Sequence, residues 1–217
     1  LDRTEIAPGE TAPVQLRLDA PIAVLPGEPY VIRGFTVLEG YGKTLGGGLA
    51  LAPQTKKHRR GNPATLQLLE ALDDRQPAQM VAELVRFQGE SGLPRSELAP
   101  RLPATGQDLS QAVEALLAAG TLVESGELLC HGSHLDALVP RAIEIVTEIQ
   151  RQRPAWPGVG VEELRTRTRP TLTPELFTEV VRRAVEAGAL TRRGEVLATV
   201  DFEPRRSSAQ TQMMEAV

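Results

Sequence analysis

Eight positions of this chain recur at one fixed distance, six with the same residue and two with valine in place of leucine. Val113, Leu117, Ala119, Gly120, Leu122, Gly126, Glu127 and Leu128 are answered 68 positions later by Val181, Val185, Ala187, Gly188, Leu190, Gly194, Glu195 and Val196. A spacing that holds across helix, stop and hairpin signals without drift marks two copies of one supersecondary unit. In the first copy "DLSQAVEALLAAG" puts Leu109, Val113, Leu116 and Leu117 on one stripe. Gly120 then supplies a left-handed helix stop, and "TLVESGELLCH" alternates through a hairpin expected to turn at Ser125-Gly126. In the second copy "TPELFTEVVRRAVEAG" and "ALTRRGEVLATVD" repeat the helix and the hairpin.

Each copy also has helices ahead of this pair. Upstream of the first lie a helix opened by Asn62 as cap with Pro63 in its first turn and carrying Leu66, Leu69 and Leu72, the helical "PAQMVAELVRFQ", and a short helix in "LPRSELAPRL". Upstream of the second, "HLDALVPRAIEIVTEIQRQR" reads as one helix and "GVEELRTRT" as a short one. Helix, short helix, helix and hairpin within roughly 60–70 residues is the winged-helix plan. Two tandem modules are expected, at 63–135 and 136–203. In the tail, 204–217, an apolar spacing through Met213, Met214 and Val217 restarts behind Ser207 or Ser208. The tail reads as a disordered end or as the first turns of a third module, and the spacing favours the latter.

Residues 1–53 have a different period. "APVQLRLDA" alternates Val14, Leu16 and Leu18 against Gln15, Arg17 and Asp19, which predicts a half-buried strand. A Pro26-Gly27 turn precedes a strand through Tyr30–Arg33, and "LGGGLALAP" returns as a last short strand. Three or four strands bury too little surface to stand alone, so this segment is read as part of a barrel completed upstream. The opening "LDRTEIAPGE", without methionine, is read as the middle of a longer protein. Between the β and helical regions, residues 54–62 form a charged linker in which Lys56, Lys57, Arg59 and Arg60 surround His58. The fold class is therefore α+β, a partial antiparallel β-barrel segment followed by two tandem winged-helix modules.

Gly42-Lys43-Thr44 has the ending of a phosphate-cradling loop. That loop requires a glycine five positions before Gly42, where Val37 stands, and a helix starting at the Lys-Thr pair. Leu45-Gly46-Gly47-Gly48 cannot start a helix cheaply, so the stretch is expected to be a glycine-rich turn between strands. The chain's net charge of −4 offers nucleic acid no global attraction, which leaves local basic patches. Aromatic residues at 3% disfavour a surface of rings on which bases stack. No apolar run reaches the ~18 residues of a membrane span, no signal peptide is visible, and a single Cys130 fits a reducing cytosol. "LCHGSHLD" gathers Cys130, His131, His134 and Asp136, but zinc would want a second ligand pair, so no metal is assigned. Trp156 in "RPAWPG" is expected to be buried against its module.

The order of these parts resembles a known family. Pro8-Gly9, Val14–Pro21, Pro26–Arg33 and Thr44–Gly48 are similar to the third domain of translational GTPases. Joined to winged helices, including "PGVGVEELRTRT" and "LFTEVVRRAVEAGAL", they resemble bacterial selenocysteine-specific elongation factors over nearly the whole chain. The run between Arg33 and Thr44 is longer than that family's pattern. The resemblance implies a cytoplasmic protein that carries selenocysteinyl-tRNA with GTP to a ribosome at a recoded UGA codon, held by winged helices to an mRNA hairpin. GTP and Mg are implied for the full-length protein only. No catalytic residue can be carried over to this chain.

Charge separates the readings of the modules. A third helix that reads a major groove needs outward donors such as Arg, Lys, Asn or Gln. The first module offers Gln107, Asp108, Gln111 and Glu114; the second offers Glu175, Glu179, Arg182, Arg183 and Glu186. Groove reading of DNA by the first is disfavoured by repulsion from phosphate. The RNA-binding candidates are Arg33, Lys43 and Thr44 on the β segment, Lys56, Lys57, Arg59 and Arg60 in the linker, and Arg192 and Arg193 on the second wing. The competing readings are a winged-helix transcription regulator and a protein-interaction scaffold.

Overall fold

A computed structural model describes residues 1–39 and 42–204. The helical start expected in the tail, with Ser207 or Ser208 as cap and Met213, Met214 and Val217 on one face, lies outside the described residues.

The chain divides into two compact units, Leu1–Leu122 with Glu127–Leu129, and Val123–Gly126 with the residues from Cys130 onward. In the first, β1 (Pro29–Leu38) and β2 (Gly42–Leu49) pair antiparallel, with Pro29 opposite Leu49 and Arg33 opposite Thr44. The residues that lengthen the run from Arg33 to Thr44 extend this hairpin through register shifts on both sides of Arg33. The glycine run is not a turn. It lies inside β2, where a Cβ on Gly47 would stand 2.5 Å from the Tyr30 carbonyl oxygen, so only glycine lets the strands approach.

The strand expected at Val14–Leu18 does not form. Its apolar side is exposed, at 42, 49 and 57% for Val14, Leu16 and Leu18. Among the described residues no strand pairs with it, and alternation without a hydrogen-bonding neighbour does not make a strand. The sheet here is two-stranded and open rather than a closed barrel.

Helices α1 (Pro63–Asp74), α2 (Pro77–Gln88) and α3 (Gly106–Ala118) follow. Asn62 accepts hydrogen bonds from the Ala64 and Thr65 amides and caps α1, whose buried stripe is Thr65, Leu68, Ala71 and Leu72. Leu66 and Leu69 lie at its margin. The short helix expected after α2 is a single 3-10 turn, Arg95–Glu97. β3 (Leu93–Pro94), β4 (Leu122–Ser125) and β5 (Leu128–His131) make a sheet in the order β3-β5-β4.

The second copy repeats this plan. "HLDALVPRAIEIVTEIQRQR" breaks into α4 (Gly132–Asp136) and α5 (Val139–Gln152), because Pro140 suits a first helical turn but cannot continue an existing helix. α6 (Val161–Thr168), α7 (Pro174–Glu186), β6 (Val159–Gly160), β7 (Leu190–Arg193) and β8 (Val196–Thr199) complete it, with sheet order β6-β8-β7.

The 68-residue offset extends to structure. Thr105 and Thr173 cap α3 and α7, accepting from the amides three residues on, Asp108 and Leu176. Gly120 (φ +71°) and Gly188 (φ +68°) stop these helices. The amides of Thr121 and Ala189 bond back to the Leu116 and Ala184 carbonyls, closing both ends alike. The hairpins turn at Gly126-Glu127, one residue later than expected, and at Gly194-Glu195, with φ positive at each glycine.

Each copy has its own core. Leu72, Met80, Val81, Val85, Leu93, Val113, Leu122 and Leu129 form the first; Leu135, Val146, Leu164, Phe177, Val180, Leu190 and Leu197 belong to the second. Phe177, fully buried, occupies the position of Leu109. Phe177→Ala should lower the unfolding free energy of its unit by about 3–5 kcal/mol, and Leu109→Ala that of its own by about 2–5 kcal/mol, read as shifts in urea midpoint.

Candidate nucleic-acid interface

The third helices are poor groove readers for two different reasons. On α3 the exposed residues Gln107, Asp108, Gln111 and Glu114 include no cation. On α7 both arginines are already engaged. Arg182 binds Glu179 through Nε at 2.7 Å and Nη2 at 2.6 Å, and also pairs with Glu186. Arg183 donates through Nε to Glu179 at 2.8 Å and through Nη1 to Asp136 at 2.5 Å. The amino end of α7 is occupied too. Within the second unit, the Ser125 hydroxyl lies 3.0 Å from Thr173 Oγ1 and donates to Glu175 Oε2 at 3.3 Å. A carboxylate in that first turn repels a phosphate that the helix end would otherwise attract.

The wing residues differ from each other. Both are exposed, but Arg192 is tied down by the Gly194 carbonyl at 2.9 Å and Glu195 at 3.3 Å. On the β segment, Arg33 and Thr44 are direct cross-strand partners with Lys43 adjacent, so these three candidates share one end of the hairpin, all exposed. Lys43 and Thr44 are strand residues rather than the start of a helix, so they do not fit the phosphate loop of a GTPase.

The linker is the densest basic feature, and it is held in place. Lys56, Lys57, Arg59 and Arg60 are exposed, and among the described residues none forms an ion pair. His58 is half-buried, its ring edge-on to Phe87 at 5.6 Å and its Nδ1 3.4 Å from Thr65 Oγ1. Gln15 bonds the linker backbone on both sides of Lys57. Sequence reasoning misses Gln15 and His58. Gln15 is one polar member of an alternating stretch, and nothing local sets it apart from Arg17 or Asp19.

The "LCHGSHLD" side chains serve the fold. Cys130 is a core residue, His131 Nδ1 accepts from the Ser133 amide to cap α4, and Asp136 receives Arg183. Among the described residues no three His, Cys, Asp or Glu side chains converge as a metal set. Trp156, expected inside, is 56% exposed and lies under the Arg153 guanidinium at 4.9 Å. Pro154 and Pro157 shape a turn that holds the ring outside the core, where the cation covers part of it.

Glu179 sets the charge state of α7. Hydrogen bonds from Arg182 first, then Arg183, hold its carboxyl below the ordinary value of 4.5 against the opposing effect of burial. A carboxylate lowered in the folded state contributes stability that is full above its unfolded value and lost as pH falls through the folded one. Glu179→Gln should therefore be less stable than the parent at neutral pH, and the gap in urea midpoint should close below about pH 4.

With this geometry in place, comparison with known proteins adds a family. Residues 143–198 match the family described as "Elongation factor SelB, winged helix". The chain is 25% identical over 200 residues to a selenocysteine-specific elongation factor of Desulfomicrobium baculatum, covering 91% of this chain and 31% of that protein. Among solved structures, a bacterial selenocysteine-specific elongation factor EF-Sec aligns with a TM-score of 0.49 and 15% identity, covering 92% of this chain and 30% of that one. The second winged helix is thus similar to the SelB winged-helix family, and the chain that carries it is similar over most of its length to a selenocysteine-specific elongation factor of which it spans about a third.

Proposed function

We propose that this chain is the part of a GTP-dependent elongation factor that joins its tRNA-carrying body to its mRNA-holding arm. The complete factor delivers selenocysteinyl-tRNA to the ribosome at a recoded UGA codon and is tethered through winged helices to an mRNA hairpin. GTP binding and hydrolysis belong to the remainder of such a factor, since the chain spans 31% of the relative it matches. The observation that carries this reading is a β hairpin followed by two winged helices in one chain, similar over 200 residues to an elongation factor of this kind.

The surface chemistry supports a linking role for these two modules. A transcription regulator would present a cationic third helix to DNA. Here α3 presents none, and the arginines of α7 are spent on Glu179, Glu186 and Asp136. Contact with tRNA, mRNA or ribosomal RNA then falls to the edges: Arg33, Lys43 and Thr44 on the hairpin, Lys56, Lys57, Arg59 and Arg60 in the linker, and Arg193, with Arg192, on the wing. Modules of this kind set reach and orientation rather than read sequence.

Replacing the matching stretch of the Desulfomicrobium factor with this chain should preserve hairpin-dependent UGA readthrough in a selenocysteine reporter. Readthrough at background, with the chimaera folded and binding GTP, would remove the proposal. Tight binding of the chain to duplex DNA would favour a transcription regulator instead.

A further inference from the structure

We propose that Gln15 is a positioning residue that holds Lys56, Lys57, Arg59 and Arg60 as a preformed edge for the phosphate backbone of RNA. The inference rests on the RNA-binding role proposed for the chain and names the residue that builds one of its surfaces.

The Gln15 carboxamide reaches residues more than forty positions away with both of its functional ends. Nε2 donates to the Lys56 carbonyl at 2.8 Å, and Oε1 accepts from the His58 amide at 3.0 Å. The carbonyl before Lys57 and the amide after it are the two groups that a neighbouring parallel strand would engage. One side chain thus does for the linker what a strand would do, and a neutral amide alone offers both a donor and an acceptor. Other interactions fix the same segment. The Gly61 amide donates to the Leu1 carbonyl at 2.8 Å, Asn62 starts α1, and His58 rests against Phe87 and Thr65.

The cations so held contrast with five arginines of α5, α6 and α7. Arg151, Arg165, Arg167, Arg182 and Arg183 each have a carboxylate on the same helix. The four linker cations have none among the described residues, which leaves their charge available to an outside anion. Residues 54–60 contain no aliphatic or aromatic side chain besides the half-buried His58, so they offer charge without an apolar anchor. That suits neutralisation of a phosphate backbone, whereas a protein partner would need a desolvated centre. Holding the segment beforehand removes the backbone ordering that binding would otherwise require.

The test uses the 217-residue chain and a short mixed-sequence A-form RNA duplex, with Kd measured over a salt series. Changing all four cations to alanine should weaken binding and make the log–log salt slope shallower by up to about 3.6, at roughly 0.9 for each phosphate no longer neutralised. Gln15→Leu should bind about three- to tenfold more weakly with a nearly unchanged slope, because the cations remain but must be ordered on binding. Hydrogen exchange at the His58 amide should accelerate while Tm stays put, a pattern that general destabilisation would not produce. Gln15→Asn, which keeps the amide but shortens its reach, serves as the second variant and should behave alike. If the quadruple variant loses affinity while both Gln15 variants bind as the parent does, the positioning role is overturned and the RNA-binding role stands. If the parent itself does not bind the duplex, both fall. Displacement of the RNA by a polyglutamate peptide at equal charge would assign the edge to an acidic protein and overturn RNA as its partner.

Discussion

In each winged helix the third helix lies across a three-stranded sheet, and the rest of the module depends on that packing. α3 buries Leu109, Ala112 and Val113; α7 buries Leu176, Phe177, Val180, Val181 and Ala184. Leu122 and Leu129, or Leu190 and Leu197, close the other side of the same core. Strands of four residues would not persist alone. They do so because alternate side chains are trapped beneath a helix, with a two-residue strand, β3 or β6, covering the inner edge of the hairpin. Which residues of the helix face outward follows from which ones that core takes.

The outward residues then determine what the modules can touch. Ion pairs at i,i+3 and i,i+4 along α5, α6 and α7 are exposed, and solvent screening leaves them little weight in stability. Their larger effect is on surface potential, since each arginine they engage is withdrawn from phosphate. The linker follows the opposite rule. Its backbone is held by Gln15 while its charges are left for solvent or a partner. A chain with net charge −4 can in this way keep a local cationic edge.

Much of this is legible in the residues. The 68-residue offset locates both helix–hairpin pairs, and the structure extends it to the caps Thr105 and Thr173, which the matching of apolar positions does not reach. The acidic face of α3 is equally plain. Less legible are features that depend on a distant neighbour. The Val14–Leu18 alternation lacks a partner strand, the glycines of β2 answer to Tyr30, and Trp156 stays outside its module. Gln15 becomes important only when the fold brings Lys56 and His58 to it.

The amino-acid sequence by itself determined the units: their periods, their stops at Gly120 and Gly188, their duplication and their charge. Those properties are local, set by steric preference and by the spacing of apolar residues within a turn or two of chain. Only the tertiary structure decided which arginines are already neutralised and which backbone segments are held. Hydrogen bonds and ion pairs act over about 3 Å, and residues 15 and 56, or 136 and 183, come within that range only after the chain has folded.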